Sequence, residues 1–167
     1  MTDWIAEIDD AAGRIKGYVR RTAVTRLNLS GLDRPIEVKL EFTQHTGSFK
    51  ARGAFNTLLS GGVPEGGVVA ASGGNHGAAV AYAAARLGIP ARIFVPEMAG
   101  PTKIALIERT GADLTVVPGS YADALAAALD YEAATGAMQV HAYDAPGTVT
   151  GQGTCMREWE EQGLGAD

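Results

Sequence analysis

The sequence predicts an α/β fold, a parallel sheet with helices on both faces. Three observations predict it. Four short apolar runs, Val68-Val69-Ala70-Ala71, Arg92-Ile93-Phe94-Val95, Leu114-Thr115-Val116-Val117 and Gln139-Val140-His141-Ala142, recur at steps of 24, 23 and 24 residues. Helix-like stretches lie between them, Ala78 to Leu87, Pro101 to Thr110 and Tyr121 to Thr135. Glycines close those stretches, at Gly88, Gly111 and Gly136, where a helix is expected to stop. Strand–helix–strand alternation at this period implies right-handed crossovers and parallel strands. The loop glycines differ from unit to unit, which argues against a solenoid.

The elements follow in order. Asp3 to about Arg21 reads as a helix, because Ile8, Ala11, Ala12, Ile15 and Val19 share one face, and Thr2 or Asp3 can cap it. A turn at Asn28-Leu29-Ser30-Gly31 precedes Ile36-Glu37-Val38-Lys39-Leu40, which alternates like a half-buried strand. The βα units come next, with Pro101 suited to a first helical position. A loop from Tyr143 to Gly147 leads to a last helix ending near Gln162. The expected organisation is a smaller α/β domain, 67–143, inserted into part of a larger one formed by 1–66 and 144–167.

Composition narrows the function. Lys and Arg total 14 against 19 Asp and Glu, a formal charge of −5 with no basic run, which disfavours nucleic-acid and anionic-membrane partners. One cysteine, Cys155, excludes an internal disulfide framework and a multi-cysteine zinc site. No histidine pair has metal-ligand spacing, so no metal is expected. No apolar run reaches the roughly 18 residues of a membrane span. The N-terminus lacks the basic start and apolar core of a signal peptide, so the expected location is the cytoplasm. Glu158 and Glu161 read as a solvated helix face, a weak basis for an acid pair.

Two glycine-flanked loops carry the candidate chemistry. The first is Thr46-Gly47-Ser48-Phe49-Lys50 with Ala51-Arg52-Gly53-Ala54 after it; the second is Ser72-Gly73-Gly74-Asn75-His76-Gly77. Both are expected between a strand and a helix, where free backbone N–H groups suit anions. Neither matches GxxxxGK[ST] or GxGxxG, so a nucleotide site has little support. Lys50 reads either as a solvated lysine in a first helical turn or as an amine desolvated by Phe49 and able to form a Schiff base. Asn75 reads either as a helix cap or as a ligand contact, and His76 as packing at the helix start. His45 and His141 read as structural or exposed.

Together the loops resemble the serine/threonine dehydratases, pyridoxal-phosphate enzymes of the tryptophan-synthase-β-like fold. Lys39-Leu40-Glu41, Gln44 and the segment from Thr46 to Ala54 are similar to that family's cofactor-lysine segment, Ser72 to Gly77 to its asparagine loop, and Gly151-Gln152-Gly153-Thr154 to a later short motif. The resemblance runs from about Arg20 to Glu161. It implies that Lys50 binds pyridoxal 5'-phosphate covalently and then moves the Cα proton. It implies that Phe49 packs on the pyridine ring and Asn75 bonds the ring's phenolic oxygen. The backbone of Ser72, Gly73, Gly74, Asn75 and His76 would hold the substrate carboxylate. The implied reaction converts L-threonine or L-serine to a 2-keto acid and ammonia, in an enzyme that is a homo-oligomer at full length.

Three departures qualify the resemblance. Ala23 stands where the family commonly has proline. Gly73 stands where related racemases carry serine, which favours elimination over racemisation. The family's chains also continue to a glycine-rich phosphate loop and a polar partner for the pyridine nitrogen, and no Gly-Gly-Gly run occurs in these 167 residues. The expectation is therefore a fragment, incomplete at its C-terminus, with little turnover alone. Rival readings are a racemase or another β-eliminating enzyme of the same fold, and a non-catalytic half-protein that acts by association.

Overall fold

A computed structural model describes residues 2–164. Helix α1, Trp4–Ile15, opens on Asp3, whose carboxylate accepts from the amides of Ile5 and Ala6 at 3.2 Å each. It ends six residues before the expected Arg21, where Gly17 turns the chain at φ 87°. Val19 lies outside the helix yet still packs on the core. A strand absent from the sequence reading, β1 (Val24–Leu27), pairs antiparallel with β2 (Ile36–Lys39), Val24 opposite Lys39 and Leu27 opposite Ile36. Two short 3-10 turns, Glu41–Thr43 and His45–Gly47, separate β2 from α2, Lys50–Leu59. The lysine loop thus follows turns, and not a strand directly as expected.

The βα units form one parallel sheet. The strands β3 (Val68–Ala71), β4 (Ala91–Pro96), β5 (Asp113–Val117) and β6 (Met138–Gln139) lie in the order β5-β4-β3-β6. Between them run α3 (Asn75–Leu87), α4 (Pro101–Glu108) and α5 (Tyr121–Thr135). Helices α3 and α5 stop at left-handed Gly88 and Gly136 as expected, whereas α4 ends before Arg109, two residues ahead of Gly111.

Strand β3 is buried on both faces, as a central parallel strand must be. Val68 and Ala70 face the cluster that holds α2, α3 and Ile107 of α4. Val69 and Ala71 face Ala124 and Ala128 of α5. Small side chains on α3 and α5 let both helices approach the sheet closely. Strand β6 is shorter than the expected run to Ala142. Val140 still donates to Val69 at 2.9 Å, and the chain then leaves the sheet.

The last helix, α6 (Pro146–Glu161), packs on α1 and α2. The Gly151 segment makes the α2–α6 contact possible. A Cβ at Gly151 would lie 2.6 Å from Asn56 Cβ and 2.8 Å from the Arg52 carbonyl. Asn56 bridges the two helices, donating to the Gly147 carbonyl at 2.7 Å and to Thr150 Oγ1 at 2.9 Å.

Glu158 corrects the sequence reading. It is not on a solvated face. Its carboxylate accepts from Lys39 Nζ at 2.7 Å and from Arg52 at 3.0 and 3.1 Å. Arg52 is also forked on Glu41 at 2.7 and 2.9 Å, and both the Lys39 and Arg52 side chains are buried. Glu161 is exposed, and Arg21 pairs with it at 3.1 Å.

Candidate active site

Lys50 is the first residue of α2. The loop before it is held in an unusual shape, with Thr46 left-handed at φ 62° and the hydroxyls of Thr46 and Ser48 buried without partners among the described residues. That shape turns the Lys50 side chain inward, where the residue is only 8% exposed. Its amine donates to the Ala142 carbonyl at 2.6 Å and lies 4.2 Å from the Tyr143 ring centre and 5.2 Å from that of Phe49. Burial lowers the amine's pKa below the usual lysine value, which enriches the neutral, nucleophilic form. The reading as a solvated lysine does not hold.

The amine faces the second loop across a cleft of about 410 Å3. Ser72 to His76 form one wall, and Ala142 and Tyr143 another. Asn75 and His76 open α3, so the amides of the helix start lack intrahelical acceptors and carry the positive end of its dipole. Two amides in this loop are already used. Ser72 donates to the Phe94 carbonyl at 2.9 Å and Gly74 to Ser72 Oγ at 3.2 Å, which leaves those of Gly73, Asn75 and His76 for an anion. Asn75 is exposed and makes no side-chain cap, so the capping reading fails as well.

Gly77 sets how closely the loop approaches the helix, because a Cβ there would overlap the Ser72 carbonyl oxygen. His76 is buried, and its Nε2–H donates to the Val140 carbonyl at 2.8 Å. Burial, opposed in part by that bond and reinforced by the nearby Lys50 charge, pushes its pKa down to about 4. His76 is therefore a neutral bolt between α3 and the strand end, as its packing role anticipates.

Phe49 stands beside the cleft, not in its wall, and is 39% exposed. Three further side chains line the cleft that the sequence did not single out, Lys103, Tyr121 and Tyr143. Each follows the carboxyl end of a parallel strand, β4, β5 and β6 in turn. That edge of an open α/β sheet is where ligands bind, so the rule that nominates Ser72 to His76 after β3 also reaches these residues.

The arrangement suits a ligand that carries an aldehyde and an aromatic ring. A desolvated amine awaits the carbonyl carbon, and Tyr143 and Phe49 flank it with aromatic faces. Gly74 leaves space above the loop, since a Cβ there would meet nothing nearer than Ser72 Oγ at 3.9 Å.

Known proteins are similar to this chain in sequence and fold. The L-threonine ammonia-lyase of Thermotoga maritima is 39% identical over 154 residues, which cover 90% of this chain and 38% of that protein. The beta-hydroxyaspartate dehydratase of Paracoccus denitrificans is 36% identical over 160 residues, 92% of this chain and 50% of the relative. The structure of maize serine racemase superposes with a TM-score of 0.90 at 34% identity, over 98% of this chain and 51% of that one. The chain thus spans about two fifths to a half of these proteins. The family model described as "Pyridoxal-phosphate dependent enzyme" matches residues 15–167, a stretch that holds Lys50, the loop facing it and the helices that support both, and the chain belongs to that family.

Proposed function

We propose that this chain forms the lysine side of a pyridoxal 5'-phosphate dehydratase site that converts L-threonine, L-serine or a close β-hydroxy analogue to a 2-keto acid and ammonia. The observation behind the reading is the Lys50 amine, desolvated at the floor of a cleft that faces the α3 N-terminus. When bound, pyridoxal phosphate supplies an electron sink for the charge left on Cα after proton loss.

The chain's own residues supply the rest. Lys50 would hold the cofactor through its amine, and the same amine, when free, would take the proton from Cα. The free amides of Gly73, Asn75 and His76 hold the substrate carboxylate, aided by the dipole of α3. The Asn75 side-chain amide, which lines the cleft, would donate to the ring's phenolic oxygen. Phe49 and Tyr143 bracket the lysine amine and limit the access of water. Loss of the β-hydroxyl as water then completes the elimination.

Within this reading the chain divides into a larger cofactor domain, 1–66 with 144–167, and a smaller inserted domain, 67–143. The mutual packing of α1, α2 and α6 supports the first, and a four-stranded sheet drawn wholly from 68–139 supports the second. The full enzyme is cytoplasmic and homo-oligomeric in the same proposal. Exposed apolar side chains along the β1–β2 hairpin and after it, Leu29, Leu32 and Phe42 among them, support association.

The test is chemical. The chain is incubated with pyridoxal 5'-phosphate, reduced with borohydride and mapped by peptide mass. The expected adduct is on Lys50; an adduct on Lys16, Lys39 or Lys103 with Lys50 clean would overturn the assignment.

A further inference from the structure

We propose that Gln152 is a positioning residue for Lys50. Its side-chain amide holds the Ala142 carbonyl, and that carbonyl in turn fixes the lysine amine at the cleft. The catalytic weight of this placement rests on the dehydratase reading of the cleft; the placement itself does not.

The backbone beyond β6 needs outside partners. The strand ends at Gln139, and the carbonyls of Val140, His141 and Ala142 accept no backbone hydrogen bond among the described residues. Side chains take all three. His76 bonds the Val140 carbonyl at 2.8 Å, and Thr148 Oγ1 donates to that of His141 at 2.8 Å. Lys50 Nζ and Gln152 Nε2 both donate to the Ala142 carbonyl, at 2.6 and 3.3 Å. Thr148 and Gln152 stand four residues apart on one face of α6, so a single helix grips two successive carbonyls.

Gln152 lies along α2, in space that a glycine leaves for it. A Cβ at Gly53, one turn beyond Lys50, would come within 3.1 Å of Gln152 Cγ and 3.2 Å of its Nε2. Gly151 brings the two helices close enough for that reach. The glycines of two separate sequence motifs, Arg52-Gly53 and Gly151-Gln152-Gly153, thus serve one side chain. Opposite a carbonyl oxygen only the NH2 end of the glutamine is attractive, which fixes the amide's orientation.

A carbonyl oxygen has two acceptor sites, and both are taken here. The second donor has two effects. It keeps the oxygen bonded while Lys50 is engaged elsewhere, so the segment holds its shape and the amine returns to the same place. It also shares the oxygen with the amine, so the ammonium gains less from its own bond and the neutral form is favoured. Without Gln152 the carbonyl either gives its full strength to the ammonium or swings away and admits water. Both changes favour the charged, unreactive amine.

The experiment uses the cofactor-free chain. Lysine amines are acetylated competitively with trace acetic anhydride from neutral to alkaline pH and quantified by peptide mass, with the exposed Lys16 and Lys103 as internal standards. In Gln152→Met, which keeps the length and loses the donor, Lys50 labelling near neutral pH should slow roughly two- to tenfold against those standards, the worth of one hydrogen bond, and its titration midpoint should move up. Gln152→Glu places a carboxylate near the amine and should slow it further. Thr148→Val removes the neighbouring bond and no donor to Ala142, so it should leave the Lys50 profile as in wild type. Lys50 labelling that is unchanged or faster in the Gln152 variants, or slowed equally by Thr148→Val, overturns the positioning role. If one Gln152 variant fails to fold, the other decides. Absence of a borohydride-trapped cofactor adduct on Lys50 would remove the dehydratase reading, and the labelling profiles would still decide whether Gln152 places the amine.

Discussion

Gly73 shows how one missing side chain can steer a reaction. Racemisation needs an acid or base on each face of Cα, and in the proposed site Lys50 would serve one face only. A side chain at Gly73 is also resisted by packing. A Cβ there would overlap the Ala99 methyl and come within 3.0 Å of Val95 Cγ1. We therefore expect elimination to dominate. With L-serine supplied to the full-length enzyme, pyruvate should accumulate well ahead of D-serine, and equal rates would sink the reading. The variant Gly73→Ser should lose about 1–3 kcal/mol of stability through overpacking, as read by urea denaturation. At this scale much of the site was legible in the sequence. Lys50 and the loop from Ser72 to His76 stand out because a local run of glycines and a helix start create the chemistry within a few residues. Lys103, Tyr121 and Tyr143 did not stand out, because they reach the cleft only when three separate strands are aligned in one sheet.

The elements are joined by charge as well as by apolar packing. Arg52 on α2, Glu158 on α6, Lys39 on β2 and Glu41 in the turn after it form one buried network. Burial alone would raise the pKa of Glu158, but its bonds to Arg52 and Lys39 hold it below the usual carboxylate value. Removing one member strands the others in a site with little water. Glu158→Ala should therefore cost about 3–5 kcal/mol in urea denaturation, the range for breaking a buried ion pair. A loss below about 1 kcal/mol, typical of a surface pair, would show that the network is solvated. This network explains why Glu158 was misread. Its spacing from Glu161 fits an exposed helix face, and only the long-range approach of α6 to α2 and β2 buries it. Elements whose signals are local, such as β3 to β5 and the helices between them, were legible to within a few residues. Strand β1 was missed because four residues with an exposed half show almost no periodicity, and β6 was overextended because its apolar run continues after the chain has left the sheet.

The whole molecule should be acid-sensitive, and two groups set the window. His76 is neutral in the fold, with a pKa near 4 against an ordinary 6.5, and Glu158 is held ionised. Both folded values are depressed, so the unfolded chain binds more protons than the native one as the pH falls, and stability must fall with it. For His76 the contribution is complete above pH 6.5, declines as the pH drops from there, and is gone below about 4. Its size is on the order of 3 kcal/mol, from the difference between the two values. Glu158 adds a second loss at lower pH, below the ordinary carboxylate range. The two events reach the fold at different places. Protonating His76 puts a charge beside Lys50 and against the strand end that supplies the lysine's acceptor, Ala142, whereas protonating Glu158 unties α6 from α2. The amide of Gln can still donate to Val140 without titrating, so His76→Gln isolates the first event. Urea denaturation of both proteins between pH 7.5 and 4 should show a steep fall for wild type and a much flatter line for the variant. Parallel lines would mean that His76 titrates alike in the folded and unfolded chains, and its role as a neutral bolt between α3 and β6 would then fail.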